Sequence, residues 1–124
     1  MNMQTAVKTV LGKYATFSGR APRSEFWWFT LAVIILSIIV SIIDGAVVAP
    51  MLGFEAFADE AGEPLRMIES LVLLLPSLAV AVRRLHDIDR SGWWYFLIVI
   101  PIIGPLVLLY WYIQPGTDGS NQFG

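Results

Sequence analysis

The chain has no cysteine among its 124 residues, a single histidine, and charged side chains at only 15% of positions. Without cysteine there are no disulfides, thiolate metal sites or cysteine nucleophiles. One histidine beside two carboxylates falls short of the three or four ligands a zinc site takes, so no metal is expected. No glycine-rich phosphate loop, Walker motif or dinucleotide fingerprint occurs, so no cofactor is expected either. The net charge of −2, with no basic tract, argues against a nucleic-acid partner. A soluble domain carries roughly 25% charged residues, and this chain falls well short of that.

What is present is apolar. Hydrophobic residues make up 56% of the chain, and a single domain of this length buries too small a share of its surface to hide them. The composition asks for lipid as solvent. The fold class it predicts is an all-α polytopic membrane protein with about three transmembrane helices and an N-terminal amphipathic interfacial helix.

Residues 1–25 comprise that helix and a turn. Met3, Val7, Val10, Leu11 and Tyr14 form one apolar stripe flanked by Lys8 and Lys13, so the helix can lie in the headgroup layer with its lysines reaching phosphates. The alternative is an ordinary helix packed on the protein. Pro22 suits the first turn of the next helix. Residues 26–43 carry no charge and at 1.5 Å per residue measure about 27 Å, close to the ~30 Å hydrocarbon core, with Trp27 and Trp28 at the interface. Residues 44–64 form an acidic loop without Lys or Arg, holding Asp44, Glu55, Asp59, Glu60 and Glu63. Residues 65–82 make a second span, kinked at Pro76, with Glu69 near its outer end. A re-entrant segment is the alternative there. Residues 83–92 are a basic loop, with Ser91 as the N-cap of the next helix. Residues 93–113 are uncharged, bracketed by aromatics and interrupted by Pro101, Gly104 and Pro105. They read as a kinked third span, with a hairpin turning at Gly104-Pro105 as the alternative. Residues 114–124 read as a turn-rich coil.

Basic residues favour the cytosolic side of a membrane. Seven of the eight precede the first span or lie between the second and third, and only Arg66 lies opposite. The N-terminus and basic loop are therefore expected in the cytosol of a multi-pass membrane protein. A straight third span puts residues 114–124 outside; a hairpin returns them to the cytosol.

This orientation brings Arg20, Arg23 and Trp27 to the same depth as Arg83, Arg84, His86, Arg90 and Trp93. Guanidinium groups bind phosphate bidentately and indoles favour the boundary layer, so these eight residues are the candidate site for an anionic lipid headgroup or another anion. The structural alternative is internal pairing: Arg83 with Asp87, and Arg20 or Arg23 with Glu25. Asp44 and Glu69 become functional candidates if they lie within the membrane, but wetted positions at the span edges are expected. No catalytic residue is assigned.

Three stretches resemble a known family. Phe17-Ser18-Gly19-Arg20-Ala21-Pro22-Arg23-Ser24-Glu25-Phe26-Trp27 is similar to its F-x-G-R-A-x-R-x-E-[FY]-W opening. Arg83 to Trp94 resembles R-R-L-H-D-x-x-x-S-G-W-W, and Gly116 to Gly124 resembles G-x-x-G-x-N-x-[FY]-G. These belong to domain of unknown function 805, the YhaH-like small bacterial inner-membrane proteins. The resemblance implies a multi-pass inner-membrane protein and transfers no activity, cofactor or catalytic residue. Three functions stay open. The first is a non-enzymatic protein whose arginine–tryptophan cluster engages membrane lipids, with a second copy or another membrane protein as further partner. The second is an oligomeric transport or channel component, with Asp44, Glu69 and the prolines of the third span lining a path. The third is a lipid-modifying enzyme using His86 and Asp87 as acid and base.

Overall fold

The computed structural model describes residues 1–124 and is helical throughout, without strands. Five α-helices occur in chain order: α1 (Met3–Gly12), α2 (Arg23–Ile43), α3 (Ala49–Met51), α4 (Pro64–Asp87) and α5 (Ile103–Ile113). A π-helical turn, Asp44–Val48, joins α2 to α3, and a 3-10 helix, Gly92–Val99, precedes α5. The chain divides into two compact units. One comprises Met1–Thr30 with Leu75–Gly124, the other Leu31–Leu74.

In the Leu31–Leu74 unit the apolar side chains face outward. Ile34, Ile38, Ile39, Ile42, Leu71 and Leu74 are all exposed, as they must be where lipid replaces a protein core. The helical path continues past Ile43, where the acidic loop was expected to begin, and reaches Met51. Pro50 supplies no N–H to a helical ladder, and the π-helical turn just before it is where that ladder changes register.

Asp44 was expected at a wetted edge and is instead buried, 1% exposed. Its carboxylate accepts the backbone N–H of Leu65 at 3.0 Å and of Arg66 at 2.9 Å. A helix beginning at Pro64 leaves its first N–H groups without intrahelical partners, and a carboxylate is the favoured group to receive them. Glu69 is likewise satisfied, accepting from Ser37 Oγ at 2.8 Å and from Arg66 Nη1 at 3.0 Å.

In the other unit, α1 starts at Asn2, whose side chain accepts from Thr5 N. Ala6 and Val10 are fully buried, so this helix packs on protein along that line while Lys8 and Lys13 remain exposed. The C-terminal half of α4 is largely buried, with Ala79, Val80, Ala81, Arg83, Arg84 and Leu85 all inside.

Residues 93–113 do not form the single kinked helix expected. The Gly92–Val99 and Ile103–Ile113 helices pack against each other, and the rings of Trp94 and Trp111 meet edge to face at 5.7 Å. Residues at the two ends of the apolar run are thus neighbours, and the run is a hairpin. Its turn passes through Pro101 and Ile102, the latter at φ +66°. Gly104 makes the turn possible, since a Cβ there would sit 1.6 Å from the carbonyl oxygen of Leu97. Pro101 and Pro105 give up helical N–H groups on both sides of the bend. Eight 3-10 residues rise about 16 Å and eleven α-helical residues about 17 Å, so neither arm crosses a ~30 Å core.

The Asp44 cap gives a direct test. Asp44→Ala removes both acceptors from the start of α4 and should lower stability by roughly 1–2 kcal/mol, with Asp44→Asn losing less. Thermal unfolding of the detergent-solubilised protein followed by circular dichroism measures both.

Candidate functional site

The candidate site gathers three segments of the Met1–Thr30/Leu75–Gly124 unit: residues 17–27, the end of α4 with its following loop, and residues 112–124. Asp87 stands at its centre. One carboxylate oxygen accepts from Arg20 Nε at 2.9 Å and the other from Arg84 Nη1 at 2.8 Å. The backbone carbonyl of Asp87 accepts from Thr117 N at 2.7 Å. Gly116 lies so close to the carboxylate that a Cβ would meet Oδ2 at 2.1 Å. No residue with a side chain fits there.

Arg83 and Arg84 have no solvent exposure. Arg83 pairs with Glu25 on the first turn of α2 through Nη1 and Oε2, while its Nε and Nη2 are buried without a partner. Arg84 donates to Asp87 and to the carbonyls of Tyr112 and Gln114. Arg23 donates to the carbonyl of Ile113 at 3.1 Å, and the Trp27 indole to that of Tyr112 at 3.0 Å. These carbonyls end α5, where the last four C=O groups lack helical partners and the helix dipole favours cations. Helix α5 has no basic residue in its own last turn. The arginines of two other segments take that role.

Residues 117–124 are the part least visible in the sequence. Arg20 Nη2 donates to the Thr117 carbonyl and Nη1 to that of Gly119, both at 2.6 Å. The Asn121 amide donates to the carbonyl of His86 at 2.9 Å, and Phe123 stacks on the His86 ring at 4.0 Å and 3°. His86 Nδ1 lies 2.9 Å from the Gly19 carbonyl. A carbonyl only accepts, so Nδ1 carries the proton in this contact. The segment expected as coil is therefore folded against the cluster. Its Gly-rich spacing with one Asn and one Phe was the available signal, and local propensity alone reads it as a turn.

The eight candidate residues fall into two groups. Arg20, Arg83, Arg84 and His86 face inward, bound to carboxylates, carbonyls or Phe123. Arg23 is exposed, and Arg90 holds its guanidinium 4.2 Å above the Trp111 ring. Trp93 is 78% exposed, while Trp27 is half-buried. Glu25 and Asp87 are both ion-paired, with partners exchanged from the expected ones: Glu25 takes Arg83, and Asp87 takes Arg20 and Arg84. Helical spacing puts Arg83 and Asp87 on one face, but a third segment brings Arg20 to Asp87 and leaves Arg83 to the carboxylate on α2.

Leaving a buried charge without its partner costs about 3–5 kcal/mol, far more than an exposed pair contributes. Glu25→Gln should therefore destabilise the protein by that order. The double change Glu25→Leu with Arg83→Met, which removes both charges, should recover most of the loss. Thermal unfolding in detergent distinguishes the two.

Residues 14–124 match the family described as protein of unknown function DUF805. The chain is 45% identical over 116 residues to inner membrane protein YhaI of Escherichia coli K12, covering 94% of this chain and 89% of that protein. It is 42% identical over 115 residues to inner membrane protein YhaH of the same organism, covering 93% and 89%. A more distant relative, uncharacterized protein YiiR of Escherichia coli K12, is 31% identical over 112 residues, covering 82% of this chain and 60% of that protein. No solved structure matches. With a fully helical fold, two helices long and apolar enough to span a bilayer, and relatives named for the inner membrane, the protein is an integral protein of the bacterial inner membrane and belongs to the DUF805 family.

Proposed function

We propose that the protein crosses the membrane twice, through α2 and α4, and that residues 93–113 enter and leave on the cytosolic side as a re-entrant hairpin. Residues 1–22, the 83–92 loop and residues 114–124 then share the cytosol, and residues 52–63 face the periplasm. The contact between Trp94 and Trp111 carries this reading, because the two ends of a spanning helix cannot touch. The positive-inside distribution supports it independently.

At that depth the outward-facing part of the cluster binds anionic phospholipid headgroups. Arg23 and Arg90 supply charge, Lys8 and Lys13 extend it along α1, and Trp93 sits in the boundary layer. Arg20, Arg83 and Arg84 hold the scaffold that presents them. Binding is better supported than acid–base chemistry by His86 and Asp87: both Asp87 oxygens are occupied by arginines, and His86 Nδ1 is committed to Gly19. Asp44 and Glu69 are likewise occupied by structural partners, which speaks against a conduction path through them.

Two measurements test this. Single cysteines at Lys13, Glu60 and Ser120, in a chain with no native cysteine, should divide under a membrane-impermeant thiol reagent. Glu60→Cys labels from the periplasm, while Lys13→Cys and Ser120→Cys label only after the membrane is opened. Labelling of Ser120→Cys together with Glu60→Cys in intact cells would refute the hairpin. For the lipid, Arg23→Ala and Arg90→Ala should each reduce phosphatidylglycerol retained in native mass spectrometry by about fivefold, with Arg90→Lys losing less. Equal retention in all variants removes headgroup binding.

A further inference from the structure

A cavity of about 510 Å³ opens beside the charge cluster, within the same compact unit. Its size falls within the range of roughly 300–1,000 Å³ typical of small-ligand sites. Phe17, Leu78, Val82, Trp93 and Phe96 form apolar walls. Three further lining residues, His86, Ser91 and Tyr95, carry polar groups. His86 Nδ1 donates to the Gly19 carbonyl, so Nε2 is the ring atom left to meet a ligand. Ser91 Oγ accepts from Trp93 N at 3.3 Å, and its own proton remains to donate. The site thus pairs an apolar chamber with a few polar groups, and no Asp, Glu, Lys or Arg lines it. This is the complement of an amphiphile whose inserted part is hydrocarbon.

The surroundings identify the amphiphile. Trp93 and Phe96 line the cavity and are also exposed, at 78% and 59%. They begin the apolar hairpin whose outer residues Val99, Ile102 and Ile103 are exposed as well. The cavity is therefore continuous with a surface that lipid covers in an inner-membrane protein. We infer that it takes up one acyl chain of a phospholipid of the cytosolic leaflet, with the ester and headgroup hydroxyl region at His86 and Ser91. The inference rests on residues 93–113 lying in the cytosolic leaflet, as proposed above, and is independent of headgroup binding by Arg23 and Arg90.

The test uses the whole protein in vesicles of phosphatidylglycerol carrying a photoreactive diazirine on one acyl chain, with crosslinked residues located by peptide mass spectrometry. Crosslinks to Ile34–Ile39 on exposed α2 serve as the internal reference. The expected result is additional crosslinking at Leu78, Val82 or His86. Leu78→Trp, which fills the chamber, should abolish those crosslinks and leave the α2 reference unchanged. Leu78→Ala, which enlarges the chamber, should keep them. Ser91→Ala should lower them about three- to tenfold through loss of one hydrogen bond. Unchanged helical circular dichroism in the Leu78 variants separates occupancy from folding. Wild-type crosslinks confined to α2 and the outer hairpin, or chamber crosslinks that survive Leu78→Trp, would overturn the inference. The double change Lys8→Ala with Lys13→Ala should leave the chamber crosslinks intact while lowering headgroup retention. Failure of the headgroup reading is thereby distinguished from failure of this one, and Ser120→Cys labelling reports on the hairpin separately.

Discussion

Arg83 and Arg84 are adjacent cations that neither water nor lipid reaches, so the protein has to supply every group that neutralises them. A buried charge in a low-dielectric setting is costly unless a counter-charge faces it, and each hydrogen bond to its remaining donors lowers that cost. Glu25 and Asp87 provide the charges, and the carbonyls ending α5 provide further acceptors to Arg84. Because those groups come from α2, α4 and α5, satisfying two side chains draws three separate stretches of chain together. Arg20 then adds residues 117–119 through the second oxygen of Asp87. The most strongly polar part of this protein is therefore its most buried part, and the apolar side chains of the hairpin and of α2 lie outside.

The same requirement explains the hairpin. The last carbonyls of α5 need donors, and Arg23, Trp27 and Arg84 are the donors they meet. That contact holds the end of α5 at the level of the first turn of α2, which a straight helix of 21 residues could not satisfy at about 1.5 Å per residue. Two prolines and the Gly104 close approach make the reversal sterically available, and the arginine–carbonyl bonds make it favourable. Nothing in this arrangement asks the hairpin tip to be polar.

The outward remainder of the site follows by subtraction. Once the inward arginines are committed, Arg23, Arg90 and the α1 lysines are the basic side chains left for the headgroup contact proposed above. The adjoining chamber lined by Phe17, Leu78 and Val82 offers hydrocarbon where these residues offer charge. A phospholipid presents both kinds of group a short distance apart.

Composition and hydropathy were enough to establish the medium and the helical class, because transfer to lipid depends on side-chain chemistry summed over a window rather than on contacts. The two helices long and apolar enough to span, found at Arg23–Met51 and Pro64–Asp87, were legible for the same reason. The inner-membrane location was legible only through the family motifs. The path of residues 93–113 was not, since a proline-interrupted apolar run has one hydropathy whether it crosses or turns back. Nor were the partners of Glu25 and Asp87, or the cap formed by Asp44 on α4. Each of those is a choice among acceptors from segments far apart in the chain, and only the folded backbone brings the chosen one within hydrogen-bonding distance.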